Sequence, residues 1–162
     1  MTRRFTKQWI ALTLLLATLG GCAGATAIGE FDRGERFLTR GDMDTAISCY
    51  SNAIHLKPDY AAAFSQRGFA FAFQCKYDRA IADYTQAIRL KPDYPNAHGR
   101  RGSAYHHKGE HDQAIADFTE AIRLEPDDAD GFIRRGRVHR LKGDQDKANA
   151  DFSRAESLKA TK

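Results

Sequence analysis

Three groups of side chains have types and spacings that could do chemistry. The first is His106, His107 and His111. His107 and His111 have the i, i+4 spacing of two metal ligands on one helix face. Gly109 lies between them, and a glycine there marks a turn, so the two are expected on different elements as surface imidazoles, with no metal bound. The second group is Cys22, Cys49 and Cys75. In an oxidising compartment a Cys49–Cys75 disulfide and a pair of free thiols are both open readings. The third group is Arg100, Arg134, Arg137 and Arg140 with His106 and His107, a set suited to holding carboxylates through forked, charge-assisted hydrogen bonds. The alternative for this group is a solvated charged face. No glycine-rich phosphate loop and no G-x-S-x-G nucleophile turn occurs, and no carboxylate pair stands outside an ordinary helix surface. The chemistry on offer is binding, without catalytic residues or a cofactor.

Cys22 closes a segment with its own composition. The chain has 162 residues and a formal net charge of +4. Arg3, Arg4 and Lys7 lie in the first 21 residues, which contain no acid, and the remainder carries 22 basic against 21 acidic residues. The basic balance is therefore no nucleic-acid signature. A 42% hydrophobic content with ordinary glycine and proline counts excludes collagen and low-complexity disorder, and the length suits one domain or one short array. Trp9 to Leu19 is an apolar run too short to span a bilayer, which takes about 18 or more such residues, but suited to a secretory leader. Leu19-Gly20-Gly21-Cys22 resembles the bacterial lipobox. The resemblance implies a signal peptide over 1–21, a diacylated Cys22 as mature N-terminus, and a tether over 22–26 reaching about 14 Å. With Ala23 following, it also implies an outer-membrane lipoprotein facing the periplasm. Ala23-Gly24-Ala25 reads equally as an ordinary A-x-A cleavage site, which would give a periplasmic or secreted protein without lipid.

What must position the arginines is a repeat. Residues 80–93 recur almost unchanged at 114–127, 34 positions on. Extending that frame gives four units: 27–60, 61–94, 95–128 and 129–162. Each reads as two helices. Position 8 is always glycine (Gly34, Gly68, Gly102, Gly136), and position 11 is usually aromatic. Glycine inside a helix costs roughly 1 kcal/mol against alanine, so its recurrence predicts close approach of a second backbone. Gly41, Gly109 and Gly143 at position 15 predict left-handed helix ends, with Cys75 in the same role. Asp44, Asp78, Asp112 and Asp146 are predicted N-caps of the second helix. That helix carries alanine at 20 and 27 flanking a large aromatic at 24 (Tyr50, Tyr84, Phe118, Phe152), and Pro58, Pro92 and Pro126 end the first three units.

This pattern resembles the tetratricopeptide repeat, four times over 136 of the 162 residues. The resemblance implies an all-α, right-handed superhelical α-solenoid of four TPR helix–turn–helix repeats, acting as a protein–protein interaction scaffold. Position 7 departs from the family's usual leucine, being Arg33, Arg67, Arg101 and Arg135. Asp83, Asp117 and Asp151 at position 23 are the expected ion-pair partners within each repeat. Cys49 replaces the acid in the first unit, which leaves Arg33 to Glu30 or solvent. Asn149 and Glu156 replace isoleucines that the earlier units carry at positions 21 and 28, so the fourth unit reads as its own polar cap. By resemblance, first-helix positions off the packing stripe line a concave peptide groove: Phe69, Phe73, Arg100, His106, His107, Arg134, Arg137 and Arg140. The implied partner is another envelope protein or peptide segment, acidic or ending in a carboxylate, with lipid membrane engaged through acylated Cys22 and no nucleic acid. The family's clamp for chaperone tails is not reproduced, because Phe31, Glu35, Ser65 and Phe69 stand where its lysine and asparagines would.

Overall fold

The computed structural model describes residues 25–160, so Cys22 and the leader lie outside the described residues. Eight helices and no strand occur among those residues. They are α1 (Ala27–Thr39), α2 (Met43–Leu56), α3 (Ala61–Phe73), α4 (Tyr77–Leu90), α5 (Pro95–His107), α6 (His111–Leu124), α7 (Ala129–Leu141) and α8 (Gln145–Ala160). Each packs on its neighbours in the chain, and the first helices α3, α5 and α7 also touch in succession. The result is an all-α solenoid whose first helices form the inner, concave layer. No helix among the described residues is long and apolar enough to cross a membrane.

Within a repeat, the position-24 ring lies against the position-8 glycine. A Cβ built on Gly34 would fall 2.5 Å from the Tyr50 ring, and one on Gly102 would fall 3.0 Å from Phe118 and 3.2 Å from the Ala114 carbonyl oxygen. The close neighbour is thus chiefly an aromatic edge, with backbone only behind it. Tyr50, Tyr84 and Phe118 are fully buried in this way. The alanines at 20 and 27 flank each ring and are buried, except for half-buried Ala121, the small–large–small stripe of the sequence. Between repeats, Ile122 meets the backbone of Gly131, so the following unit covers a position-28 isoleucine. Asn149 and Glu156 are exposed.

The turn between helices is a reciprocal hydrogen-bonded cap. In the third repeat, the Gly109 N–H donates to His106 O at 2.9 Å and the Glu110 N–H donates to Tyr105 O at 2.9 Å, satisfying carbonyls the helix end leaves open. It requires a left-handed residue at position 15: φ is 78° at Gly41, 79° at Gly109, 85° at Gly143 and 58° at Cys75. Only one residue then separates the turn from the next helix. That residue is the N-cap: Asp42 accepts from the Thr45 N–H at 3.1 Å, while Lys76 and Glu110 cap without a side-chain bond. The predicted N-caps Asp44, Asp78, Asp112 and Asp146 are corrected accordingly. They sit one step inside the first turn, and three of them reach position 14 of the next repeat. Gln74 Nε2 donates to Asp44 at 2.8 Å, Lys108 pairs with Asp78 at 2.7 Å, and Lys142 pairs with Asp112.

Position 7 makes the deeper connection. Arg101 donates through Nε and Nη2 to both oxygens of Asp117, each at 2.8 Å, and through Nη1 to Thr85 Oγ1 of the preceding repeat at 3.0 Å. Arg67 does the same to Asp83 and Ser51, and Arg135 to Asp151 and Thr119. The intra-repeat pairs are as expected from sequence, and the reach into the previous repeat is additional. Arg33, without a position-23 acid, is 3.8 Å from Glu30 and half exposed. Cys49 and Cys75 are both free, one buried on α2 and the other exposed in the α3–α4 turn.

Two stability predictions follow from these contacts. Asp117→Asn halves the fork on a mostly buried guanidinium, and should cost about 2 kcal/mol in urea unfolding; a loss below a few tenths would show that the pair is solvent-screened. Cys75→Gly relieves a left-handed non-glycine residue and should raise the urea midpoint, a gain of about 0.5–1 kcal/mol. A lower midpoint would show instead that the thiol contributes a favourable contact larger than the strain.

Candidate functional site

At positions 6 and 9 of α5 and α7, Arg100, Ser103, Arg134 and Arg137 border clefts between the first helices, whereas Ser65 at position 5 of α3 is fully buried. Consecutive first helices put residues 34 apart, or 31 apart, within reach of one another. Along the floor, Tyr50 Oη donates to Glu35 Oε1 at 2.5 Å, and Gln66 Nε2 donates to the same oxygen at 2.7 Å. Arg100 Nη1 in turn donates to Gln66 Oε1 at 2.6 Å. Burial, and then the Glu35 carboxylate, push the Tyr50 phenol well above its ordinary range, so it remains a proton donor. Glu35 is therefore committed to two donors. It stands where a clamp for carboxylate tails would need a cation or amide, and it turns that end of the groove acidic.

The basic end is built on α5 and α7. The Arg100 guanidinium lies 4.8 Å from the centroid of the Phe69 ring, a cation–π contact. Its polar partner, Gln66, is neutral. Arg134 Nε donates to Asp130 Oδ2 at 2.6 Å and Nη1 to Ser103 Oγ at 3.1 Å. Arg137 is exposed and makes no polar or ring contact among the described residues. His107 stacks on Tyr77, with ring centroids 5.1 Å apart and planes inclined by 8°. His107 ends α5 and His111 starts α6. Their neighbour His106 has ring centroids 5.7 Å from His107 and 5.6 Å from His111. No group of three His, Cys, Asp or Glu among the described residues is placed to hold a metal ion.

Three adjoining clefts open on this face. One of about 230 Å³ is walled by Phe69, Phe73, Tyr77 and Tyr84 and bordered by Arg100, His107 and Arg134. The next, about 290 Å³, lies among His106, His107, Arg134 and Arg137. The third, about 300 Å³, runs between Arg100 and Arg134 past Gly99 and Gly131. Seven of the eight groove residues named from sequence thus border clefts. Arg140 borders none of these three: it is exposed, and its guanidinium lies 5.5 Å from the Phe152 ring centroid on α8. Ser103 and Asp130, at positions 9 and 2 of their first helices, belong to the same off-stripe set and border these clefts, while Tyr77 and Tyr84 were not anticipated there. The i, i+4 spacing of Asp130 and Arg134 was a readable signal, whereas the Tyr77 and Tyr84 walls come from second helices and carried none.

Comparison with known proteins is consistent with this architecture. One tetratricopeptide repeat family profile matches residues 67–129 and again 109–161, and a second TPR repeat profile matches residues 34–74. No curated protein matches the chain. Among solved structures, a crystal structure of MamA superposes with a TM-score of 0.81 at 23% identity, covering 93% of this chain and 85% of that one. MamA from Desulfovibrio magneticus RS-1 gives 0.79 at 18%, covering 84% and 77%. These likenesses show the fold. The second TPR domain of human RPAP3, in complex with the HSP70 peptide SGPTIEEVD, gives 0.67 at 34% identity, covering 69% of this chain and 93% of that one.

The histidine cluster makes a pH prediction. Burial lowers the His106 pKa below the ordinary value of 6.5, and the neighbouring His107 and His111 lower it further. The unfolded chain then binds the extra proton first, so this contribution to stability is intact above pH 6.5 and lost as pH falls through and below it. NMR titration of the His106 ring should give a midpoint below 6.5, and His106→Gln should lessen the fall in melting temperature on acidification. A midpoint above the ordinary value would contradict the packing described.

Proposed function

The chain belongs to the tetratricopeptide repeat family, and we propose that it is a lipid-anchored scaffold of the bacterial cell envelope. In this reading it holds a peptide segment of another envelope protein on its concave face. The observation that carries the binding half is the run of clefts bordered by Arg100, Arg134, Arg137 and His107 beside exposed Phe73. A relative at 34% identity is bound to a peptide ending in acidic residues and a carboxylate, and the arginines of this face suit such a segment. In this chain Glu35 makes the other end of the groove acidic. The protein in this reading is not an enzyme and carries no cofactor.

The anchoring half rests on the lipobox-like stretch ending at Cys22 and the short tether after it. The array then lies close to the outer membrane, on its periplasmic side. The Ala23-Gly24-Ala25 stretch favours a second reading, a soluble periplasmic or secreted binding module, which differs only in whether Cys22 is acylated.

Crosslinking in intact cells compares the wild type with an Arg134→Ala/Arg137→Ala double variant. The variant should lose most of a discrete captured partner, since each desolvated charge-assisted contact is worth about 1.5–3 kcal/mol. Equal capture by both proteins would reduce the basic face to a solvated surface. Palmitate labelling in the same cells should mark the wild type and vanish in Cys22→Ser. Labelling that persists in Cys22→Ser would refute lipidation at this residue, and none in either protein would favour the unanchored reading.

A further inference from the structure

The cleft between α3 and α5 has a more specific occupant than the groove as a whole. At about 230 Å³ it is smaller than the roughly 300–1,000 Å³ of a small-molecule site, yet at roughly 30 Å³ per water it would hold several poorly bonded waters on apolar walls. Its depth comes from two small residues, Ala72 and Ala104. Its floor is Tyr84, 1% exposed, and its rim is Phe73, 66% exposed at the last position of α3. Phe73 thus carries the apolar wall of the recess out to the surface.

The rim on the opposite side is cationic. Arg100 spends its guanidinium on a neutral amide and the Phe69 face, and Arg134 shares its charge with Asp130 and a hydroxyl. Arg137 has no partner on the described residues. The nearest committed acid of the floor, Glu35, is turned to Tyr50 and Gln66. Asp130 is an anion of this rim and is spent on Arg134, whereas Arg100 and Arg137 have no acidic partner among the described residues. Resting on the concave-groove reading above, we propose that the cleft takes one bulky apolar side chain of a peptide, and that a carboxylate adjacent to it in sequence sits between Arg100 and Arg134. The order is fixed along the array: the apolar anchor over the second and third repeats, the acidic end toward the fourth. The ligand class is a segment pairing a large apolar residue with a neighbouring Asp, Glu or C-terminal carboxylate.

The test is an immobilised random octapeptide library screened with the full chain, whose helical circular dichroism is verified for every variant. Wild type should enrich sequences with Phe, Leu, Ile or Met beside an acid. Ala72→Phe fills the recess, and Phe73→Ala removes its exposed rim without touching the core. Each should cut the apolar preference about tenfold while the acidic preference survives. Arg100→Gln/Arg134→Gln should do the reverse. Acidic enrichment with no apolar preference, or an apolar preference unmoved by Ala72→Phe and Phe73→Ala, overturns this inference and leaves the groove reading standing. No enriched sequence with a folded wild type overturns the groove reading itself.

Discussion

The structure depends on one repeated contact, the guanidinium of position 7. A forked arginine reaches the position-23 carboxylate of its own repeat with two donors and a hydroxyl of the preceding repeat with a third. Two otherwise separate second helices are thereby held to one rigid group. Charges this far from water are tolerated only when paired and hydrogen-bonded, so each fork constrains where both second helices can lie. The position-24 ring packed on glycine sets the depth of each helix pair, and the fork sets its spacing from the last one. Where the acid is missing, at Cys49, the arginine turns out toward solvent, and the first repeat takes part in the fork network only through the contact that Arg67 makes to Ser51.

With that duty assigned to position 7, the arginines at positions 6 and 9 are left for the concave face. Arg67, Arg101 and Arg135 are saturated by carboxylates. Among the described residues Arg100 has no acid partner and Arg137 no polar partner. Chemically identical side chains a few residues apart thus do opposite things, and the difference lies in which helix face each occupies. The groove is polarised by the same logic. Glu35 gathers Tyr50 and Gln66 at one end, and the cationic rim with its apolar recess stands at the other.

Much of this was legible in the residues because a repeat supplies its own internal comparison. Four glycines at one position, an aromatic sixteen residues later, and Arg facing Asp at the same spacing could each be read as a contact. Cys75 in a glycine's place announced a left-handed residue, and its φ of 58° agrees. The position-18 aspartates misled because acids favour both the N-cap and the first helical turn; only the length of the linking turn distinguishes them. Contacts between repeats were harder to see. Besides the arginine–hydroxyl contacts 16 apart, they join residues 30, 31 or 34 apart, and which of these separations meet depends on the angle between successive helix pairs. Arg140 shows the same limit: it shares a register with groove residues but leans back over Phe152, since a long side chain near a helix end has two faces within reach.

Amide hydrogen exchange across the chain, comparing wild type with Arg101→Gln, tests the cross-repeat tie most directly. If one guanidinium holds both second helices, exchange should quicken in α4, which carries Thr85, as well as in α6, which carries Asp117, while α1 and α2 stay unchanged. Faster exchange confined to α5 and α6 would contradict the account: the fork would then be an ornament of its own repeat, and the spacing of the solenoid would rest on apolar packing alone.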